Sequence, residues 1–451
     1  IACRGDKRMV HSRRRFLTHS ATASAGVAML SPADLWAMQS APTDRIGIGV
    51  IGCNGMGFSD LSSLLKLPEA ECVALCDVDA NVLGKRSKDV EAMTGAVPAL
   101  YGDFRRLLEN RDVDAVVIGT PDHWHCLQMI MACEAGKDVY VEKPLANSIE
   151  ECRLMVAAAK RYDRVVQVGQ WQRSGPHWDD AIAFLRSGKL GRVRTARAWA
   201  YMDWMPPVPM VPDGPAPPGV DYDMWLGPAP KRPFNSNRFH FNFRWFWDYA
   251  GGLMTDWGVH LIDIVLYGMN ATAPHSVVAS GGKFAYPNDA EETPDTLQAI
   301  YEFDGFSMIW EHAVGIGLGP FQRDHGVAFV GNEGTLVVDR SRWQVFPETG
   351  TEAGKPFYKM DPVPEHRALP GEGGLDQHTK NFIECMRTRE QPRCNPEIGS
   401  LAAVNAHLGN AAFRTNRKVH WDSSVQRFRD NDDANRLLTP TYREPWRLPR
   451  V

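Results

Sequence analysis

Ile46-Gly47-Ile48-Gly49-Val50-Ile51-Gly52-Cys53-Asn54-Gly55-Met56-Gly57 runs a continuously apolar, β-prone segment into a glycine-rich turn. The next residues switch period: Phe58, Leu61, Leu64 and Leu65 fall on one face of a helix. Strand, glycine turn and helix in that order place backbone amides at a helix N-terminus, where glycines let the chain approach a pyrophosphate. Gly52, Gly55, Met56 and Gly57 are therefore expected to cradle a dinucleotide, with Asn54 standing where the G-x-G-x-x-G pattern has its second glycine. Asn tolerates left-handed backbone angles better than most residues, so the turn is expected to survive the exchange. Asp77 closes the second strand 25 residues after Gly52. A carboxylate there accepts hydrogen bonds from ribose hydroxyls and repels a 2′-phosphate, which predicts NAD rather than NADP.

Working outward, strands are expected at Ile46–Ile51, Cys72–Cys76, Ala115–Gly119, Asp138–Val141 and Val165–Val168, separated by helical patterns. That alternation predicts a Rossmann-type parallel sheet over residues 45–169. Two later βα junctions lie at the carboxyl edge where such sheets bind ligands: Thr120-Pro121-Asp122-His123-Trp124-His125 and Glu142-Lys143-Pro144. Thr120, His123, His125, Glu142 and Lys143 are expected at the cofactor. His123 and His125 have no third ligand in view, so no metal is expected.

Beyond Gly169 the pattern changes to hairpins, Thr296–Phe303 with Phe306–His312 and Val327–Val330 with Thr335–Val338, alongside strands Arg194–Tyr201 and Ser276–Ser280. The fold class is α/β: after the Rossmann-type sheet, residues 170–451 form an α+β domain with an open mixed or antiparallel sheet. Helices at Gln377–Arg387 and Ile398–Phe413 are expected to return to the first domain. The loop Met205–Gly219 carries seven prolines and suits neither helix nor sheet, which reads as a lid or an oligomer arm. The aromatic and polar mixture of residues 235–247 suits either carbohydrate recognition or packing between domains, and Trp171, Arg173, His240 and Arg244 are the expected substrate contacts. Asp256 and His260, four apart, are expected side by side on one helix, able to share a proton. An imidazole suits the proton lost when a carbinol carbon gives up a hydride.

Glu142-Lys143-Pro144 after a strand, joined to Asp256-x-x-x-His260, resembles the Gfo/Idh/MocA oxidoreductases, over about Arg45 to Trp446. The resemblance implies that Lys143 reaches the substrate hydroxyl beside the nicotinamide, that His260 is the general acid/base and that Asp256 orients it or binds substrate. It implies NAD as cofactor and a sugar, glycoside or polyol as substrate. Two rival functions are an NAD-dependent redox-assisted glycosidase and a non-catalytic NAD-containing sugar-binding protein. The presence of Lys143 favours the dehydrogenase, and the full set of Lys143, Asp256 and His260 speaks against a binding protein.

Composition bounds the rest. The 451 residues are 44% apolar and 23% charged with a net charge of −4, so the chain folds and lacks the basic footprint of a nucleic-acid binder. Nine cysteines without a C-x-x-C read as buried apolar residues, Cys385 and Cys394, which flank a Pro- and Arg-containing turn, being the one pair read as close enough for a bridge. Most of the fourteen tryptophans are expected in the core. No stretch is long and apolar enough to span a membrane. Ser12-Arg13-Arg14-Arg15-Phe16-Leu17, followed by the uncharged Ala21–Leu30, fits a twin-arginine export signal within residues 1–44, with Met9 as the natural initiator and a cleavage site near Ser40-Ala41. A periplasmic homo-oligomer is expected.

Overall fold

The computed structural model describes residues 45–451, so the expected export signal lies outside the described residues. Six parallel strands, β1 (Ile46–Ile51), β2 (Ala70–Cys76), β3 (Ala99–Tyr101), β4 (Ala115–Ile118), β5 (Asp138–Val141) and β6 (Val166–Val168), form one sheet in the order β3-β2-β1-β4-β5-β6. Strands β1, β4 and β5 are buried along their whole length, as a sheet covered by helices on both faces demands. Leu61 and Leu64 supply the buried face of the first helix, while Phe58 and Leu65 are only half-buried. The expected strands are all present. The edge strand β3 escaped the sequence reading because three mostly exposed residues carry no periodic signal.

The second sheet has ten strands. At its centre lie β7 (Thr195–Met202), β8 (Ser276–Gly282), β9 (Thr296–Phe303), β10 (Phe306–Val314), β11 (His325–Val330) and β12 (Gly334–Val338). Strand β10 runs parallel to β7, and β9 and β11 pair antiparallel to β10 and β7 respectively, so the sheet is mixed. Its inner face packs on the helix Gly258–Met269 and on a core that includes Trp178, Trp245 and Trp310. Eight of the fourteen tryptophans are buried, so core filling is the commoner fate.

The two C-terminal helices do return. Leu375–Thr388 packs against the helix Gly55–Leu64, where Asp376 accepts from Ser63 Oγ at 2.6 Å and pairs with Lys66 at 2.7 Å. Pro396–Thr415 packs against both Ile149–Arg161 and Gly258–Met269, joining the helix layer of the first sheet to that of the second. Cys385 and Cys394 are free and buried, not bridged. The proline-rich loop ends on the first sheet's rim: Asp79 and Val220 form an isolated bridge, and Ala80 N donates to Gly219 O at 2.9 Å. No helix among the described residues is long and apolar enough to cross a membrane.

Candidate active site

A cavity of about 470 Å³ runs along the carboxyl edge of the parallel sheet, from Asp77 past the glycine turn to Lys143, and is roofed by Met224, Trp225 and the segment His240–Arg244. Gly52 (φ +84°) and Gly55 (φ +48°) take the left-handed angles of the turn. Asn54 does not: it is extended at φ −103° and precedes the helix, so Gly55 has taken over the conformational task expected of Asn54. The Asn54 side-chain oxygen accepts instead from Arg86 at 2.9 Å. A Cβ on Gly57 would overlap the carbonyl oxygen of Gly52, and one on Gly119 would lie 2.5 Å from the Gly57 Cα, so strand and helix touch backbone to backbone. Met56 and Thr120 line the same trough.

At one end, the carboxylate of Asp77 accepts from Cys53 N at 2.9 Å and Asp79 N at 3.0 Å, and burial raises its pKa against those amides. His240, expected at the substrate, sits here: its ring nitrogen meets Asp79 at 2.9 Å, and its backbone is strained into φ +59°. A glycine trough with a carboxylate at one end and a lysine at the other fits a dinucleotide. Gly52, Gly55 and Met56 would hold the pyrophosphate, and Asp77 the ribose.

At the other end Lys143 Nζ donates to Asp256 Oδ1 at 2.8 Å and to the Asp256 carbonyl at 3.1 Å, and Arg244 Nε donates to the same Oδ1 at 3.2 Å. Burial alone would raise the Asp256 carboxyl, but the Lys143 and Arg244 charges outweigh it and hold the group far below its usual range. The guanidinium of Arg244 lies over Phe241 and Phe243, 4.7 and 4.6 Å from their ring centres, which fixes its direction. The aromatic segment thus divides: Phe241 and Arg244 face the cavity while Trp245 and Phe246 fill the core.

Asp256 and His260 do not share one helix. Asp256 ends the short helix Gly252–Asp256, Trp257 makes a tighter turn at φ −89°, and His260 lies in the first turn of the next helix, Gly258–Met269. No hydrogen bond joins the two side chains among the described residues; Asp256 spends its oxygen on two cations instead. His260 is buried with Nδ1 unpartnered, and burial followed by the nearby charges of Lys143 and Arg340 pushes its pKa well below the ordinary value, so the ring is neutral. Burial also raises Asp122 and Glu142 to about 7. The Glu142 carboxylate is pressed against Gly169, where no Cβ would fit.

Three expected ligands turn out to be scaffold. His123 bonds the Trp225 carbonyl at 3.1 Å and is buried away from the cavity lining. His125 sits between the carbonyls of Pro144 (2.7 Å) and Thr120 (2.9 Å) and, as a neutral ring, donates to one of them, packing between the two βα junctions. Arg173 is not at the substrate: its Nε pairs with the buried Asp263 at 2.6 Å. Trp171 does lie close to the site, its ring centre 5.8 Å from that of His260. Trp225, Trp257 and Arg340 were missed by the sequence reading, since none sits in a short motif and each reaches the site through tertiary structure. Among the described residues no group of three or more His, Cys, Asp or Glu is placed to hold a metal.

A family model described as an oxidoreductase family NAD-binding Rossmann fold matches residues 46–170, and one for the same family's C-terminal α/β domain matches residues 192–330 and 361–448. The chain is 23% identical to an uncharacterized oxidoreductase YrbE of Bacillus subtilis over 365 residues, 80% of this chain and 92% of that one. It is 31% identical to a glycosyl hydrolase family 109 protein of Shewanella over 210 residues, which is 42% of this chain and 46% of that protein. Among solved structures, levoglucosan dehydrogenase in complex with NADH and levoglucosan superposes with a TM-score of 0.63 at 19% identity, covering 83% of this chain and 99% of that one. Matched in both halves and over most of its length, the chain belongs to the Gfo/Idh/MocA oxidoreductase family, with NAD as its cofactor.

Proposed function

We propose that this oxidoreductase acts on a hydroxyl of a sugar, glycoside or polyol, with Lys143 and His260 handling the substrate oxygen and its proton. The observation that carries the reading is the pairing of Lys143 with Asp256 at one end of the NAD trough, next to a neutral imidazole. NAD, when bound, supplies the acceptor or donor of hydride. Lys143, aimed by Asp256, donates a hydrogen bond to the substrate oxygen and stabilises negative charge as the carbinol proton leaves. His260 is the neighbouring group with a free lone pair, and it takes that proton. Lys143 and Arg244 together keep Asp256 ionised.

The identity with a glycosyl hydrolase family 109 protein favours a second reading, redox-assisted elimination of an aglycone. Incubation with a panel of glycosides, following absorbance at 340 nm and free aglycone together, separates the two. A rise at 340 nm without aglycone supports the dehydrogenase, and aglycone without net NADH supports the glycosidase. From the Arg13-Arg14 pattern we further propose that the protein is exported to the periplasm in folded form; Arg13→Lys/Arg14→Lys, read by fractionation, should abolish export.

A further inference from the structure

Arg340 leaves β12 through the turn Asp339-Arg340-Ser341 and lies between two indoles, its guanidinium carbon 4.7 Å from the Trp171 ring centre and 4.3 Å from that of Trp257. Its one hydrogen bond among the described residues runs from Nε to Gln172 Oε1 at 3.0 Å, so both terminal nitrogens of the fork lack a protein acceptor. The carboxylates around it are already engaged. Arg323 takes Asp339 at 2.9 Å, Lys143 with Arg244 takes Asp256, and Asp324 meets the His325 ring at 2.8 Å. The two indoles extend the cluster to the site: the Trp171 ring contacts His260, and the Trp257 ring centre lies 5.1 Å from that of His325. His260 Nδ1 and His325 Nε2 are both buried without a hydrogen-bond partner. A cation serving only to pack between rings would be expected to have a counter-ion. This one is held rigid with its fork open, on the side of the proposed proton acceptor.

We propose that Arg340, clamped between Trp171 and Trp257, receives a carboxylate of the substrate, so that the sugar oxidised is a uronate or a uronic-acid glycoside rather than a neutral sugar or polyol. The inference rests on the oxidoreductase reading above and narrows its substrate. A planar guanidinium matches a carboxylate bidentately, and clamping by two rings removes the rotamer freedom that binding would otherwise cost. A phosphate dianion would call for further free cations, and those beside Arg340 are spent, Arg323 on Asp339 and Lys143 on Asp256.

The test uses the purified full chain with NAD and matched probes: D-glucuronate with D-glucose, D-galacturonate with D-galactose, the methyl glycosides of each, and D-glucose 6-phosphate. Binding is read by quenching of tryptophan fluorescence and by calorimetry, and turnover by kcat/KM at 340 nm. At least one acid should bind roughly ten- to a hundredfold more tightly than its neutral partner, the range of a charge-assisted pair. Arg340→Met should erase that preference, Arg340→Lys restore part of it, and added salt weaken the acid alone. Equal or tighter binding of the neutral sugars, binding of no acid, preference for the phosphate, or a preference that survives Arg340→Met overturns the proposal. If Arg340→Met fails to fold, the wild-type pairs and their salt dependence decide. Acid binding with no change at 340 nm would sink the oxidoreductase reading and leave the Arg340 site standing, whereas oxidation of neutral sugars alone would do the reverse.

Discussion

Asp256 gives one oxygen to two cations, and that choice separates the roles around it. Lys143 becomes a fixed donor at the end of the trough, and His260, denied the carboxylate, stays neutral and able to accept. Lys143→Ala and His260→Ala should each lower turnover by about 10²–10⁴-fold while NAD binding, measured by titration, is retained. Their combined effect should be less than the product, since in the proposed reaction both serve one oxygen. Asp77 is a separate case, far from the chemistry. Asp77→Ala should narrow the preference for NAD over NADP, read as the ratio of dissociation constants, because a 2′-phosphate no longer faces a carboxylate. Lys143 was legible in the sequence because a charged pair closing an apolar strand marks a sheet's carboxyl edge. Arg173 and His240 were misplaced because a charged side chain does not announce which partner it will find; Asp263 and Asp79 took them.

At the scale of elements, the glycine turn was readable and the break after Asp256 was not. Strand β1 ends where glycines permit close approach, a short-range rule that sequence exposes. The division between Gly252–Asp256 and Gly258–Met269 arises at Trp257, whose ring packs on Arg340 and His325, partners more than sixty residues away. The backbone contact of Gly57 with Gly52 and Gly119 yields a sharp expectation. Gly57→Ala must push the first helix off the sheet, so it should destabilise the fold by about 1–3 kcal/mol, as overpacking of a closed contact does. The check is a urea melt. A cost below about 0.5 kcal/mol would mean that the helix is free to shift.

Across the whole molecule, the helix Pro396–Thr415 joins the helix layers of the two sheets, and buried titratable groups set the response to acid. Burial lowers His123, His125, His312, His378 and His407 to about 4. It raises Asp122, Glu142 and Glu151 to about 7 and Glu291 to about 8. Each histidine is neutral when folded and takes a proton when unfolded, so its stabilisation is complete above about pH 6.5 and declines as pH falls toward about 4. The raised carboxyls act in the opposite sense, keeping in the fold a proton that the unfolded chain has lost above about pH 4. The two sets nearly cancel between roughly pH 5 and 6.5. Below about pH 4.5 the unfolded carboxyls protonate too, and the histidine loss stands alone. Urea midpoints should therefore stay nearly level from pH 6.5 to 5 and fall steeply below about 4.5.

In the proposed reaction, the hydrogen on a carbinol carbon of a sugar or polyol passes to NAD in the trough between Asp77 and Lys143. Sugars and uronates carrying deuterium at each carbinol carbon, incubated with the purified protein and NAD, test it by mass spectrometry of the extracted dinucleotide. The expected result is deuterium on the nicotinamide from one labelled carbon, together with a carbonyl product at that carbon, and loss of both in Lys143→Ala. A dinucleotide that stays unlabelled with every substrate, in protein shown by titration to bind NAD, would contradict it.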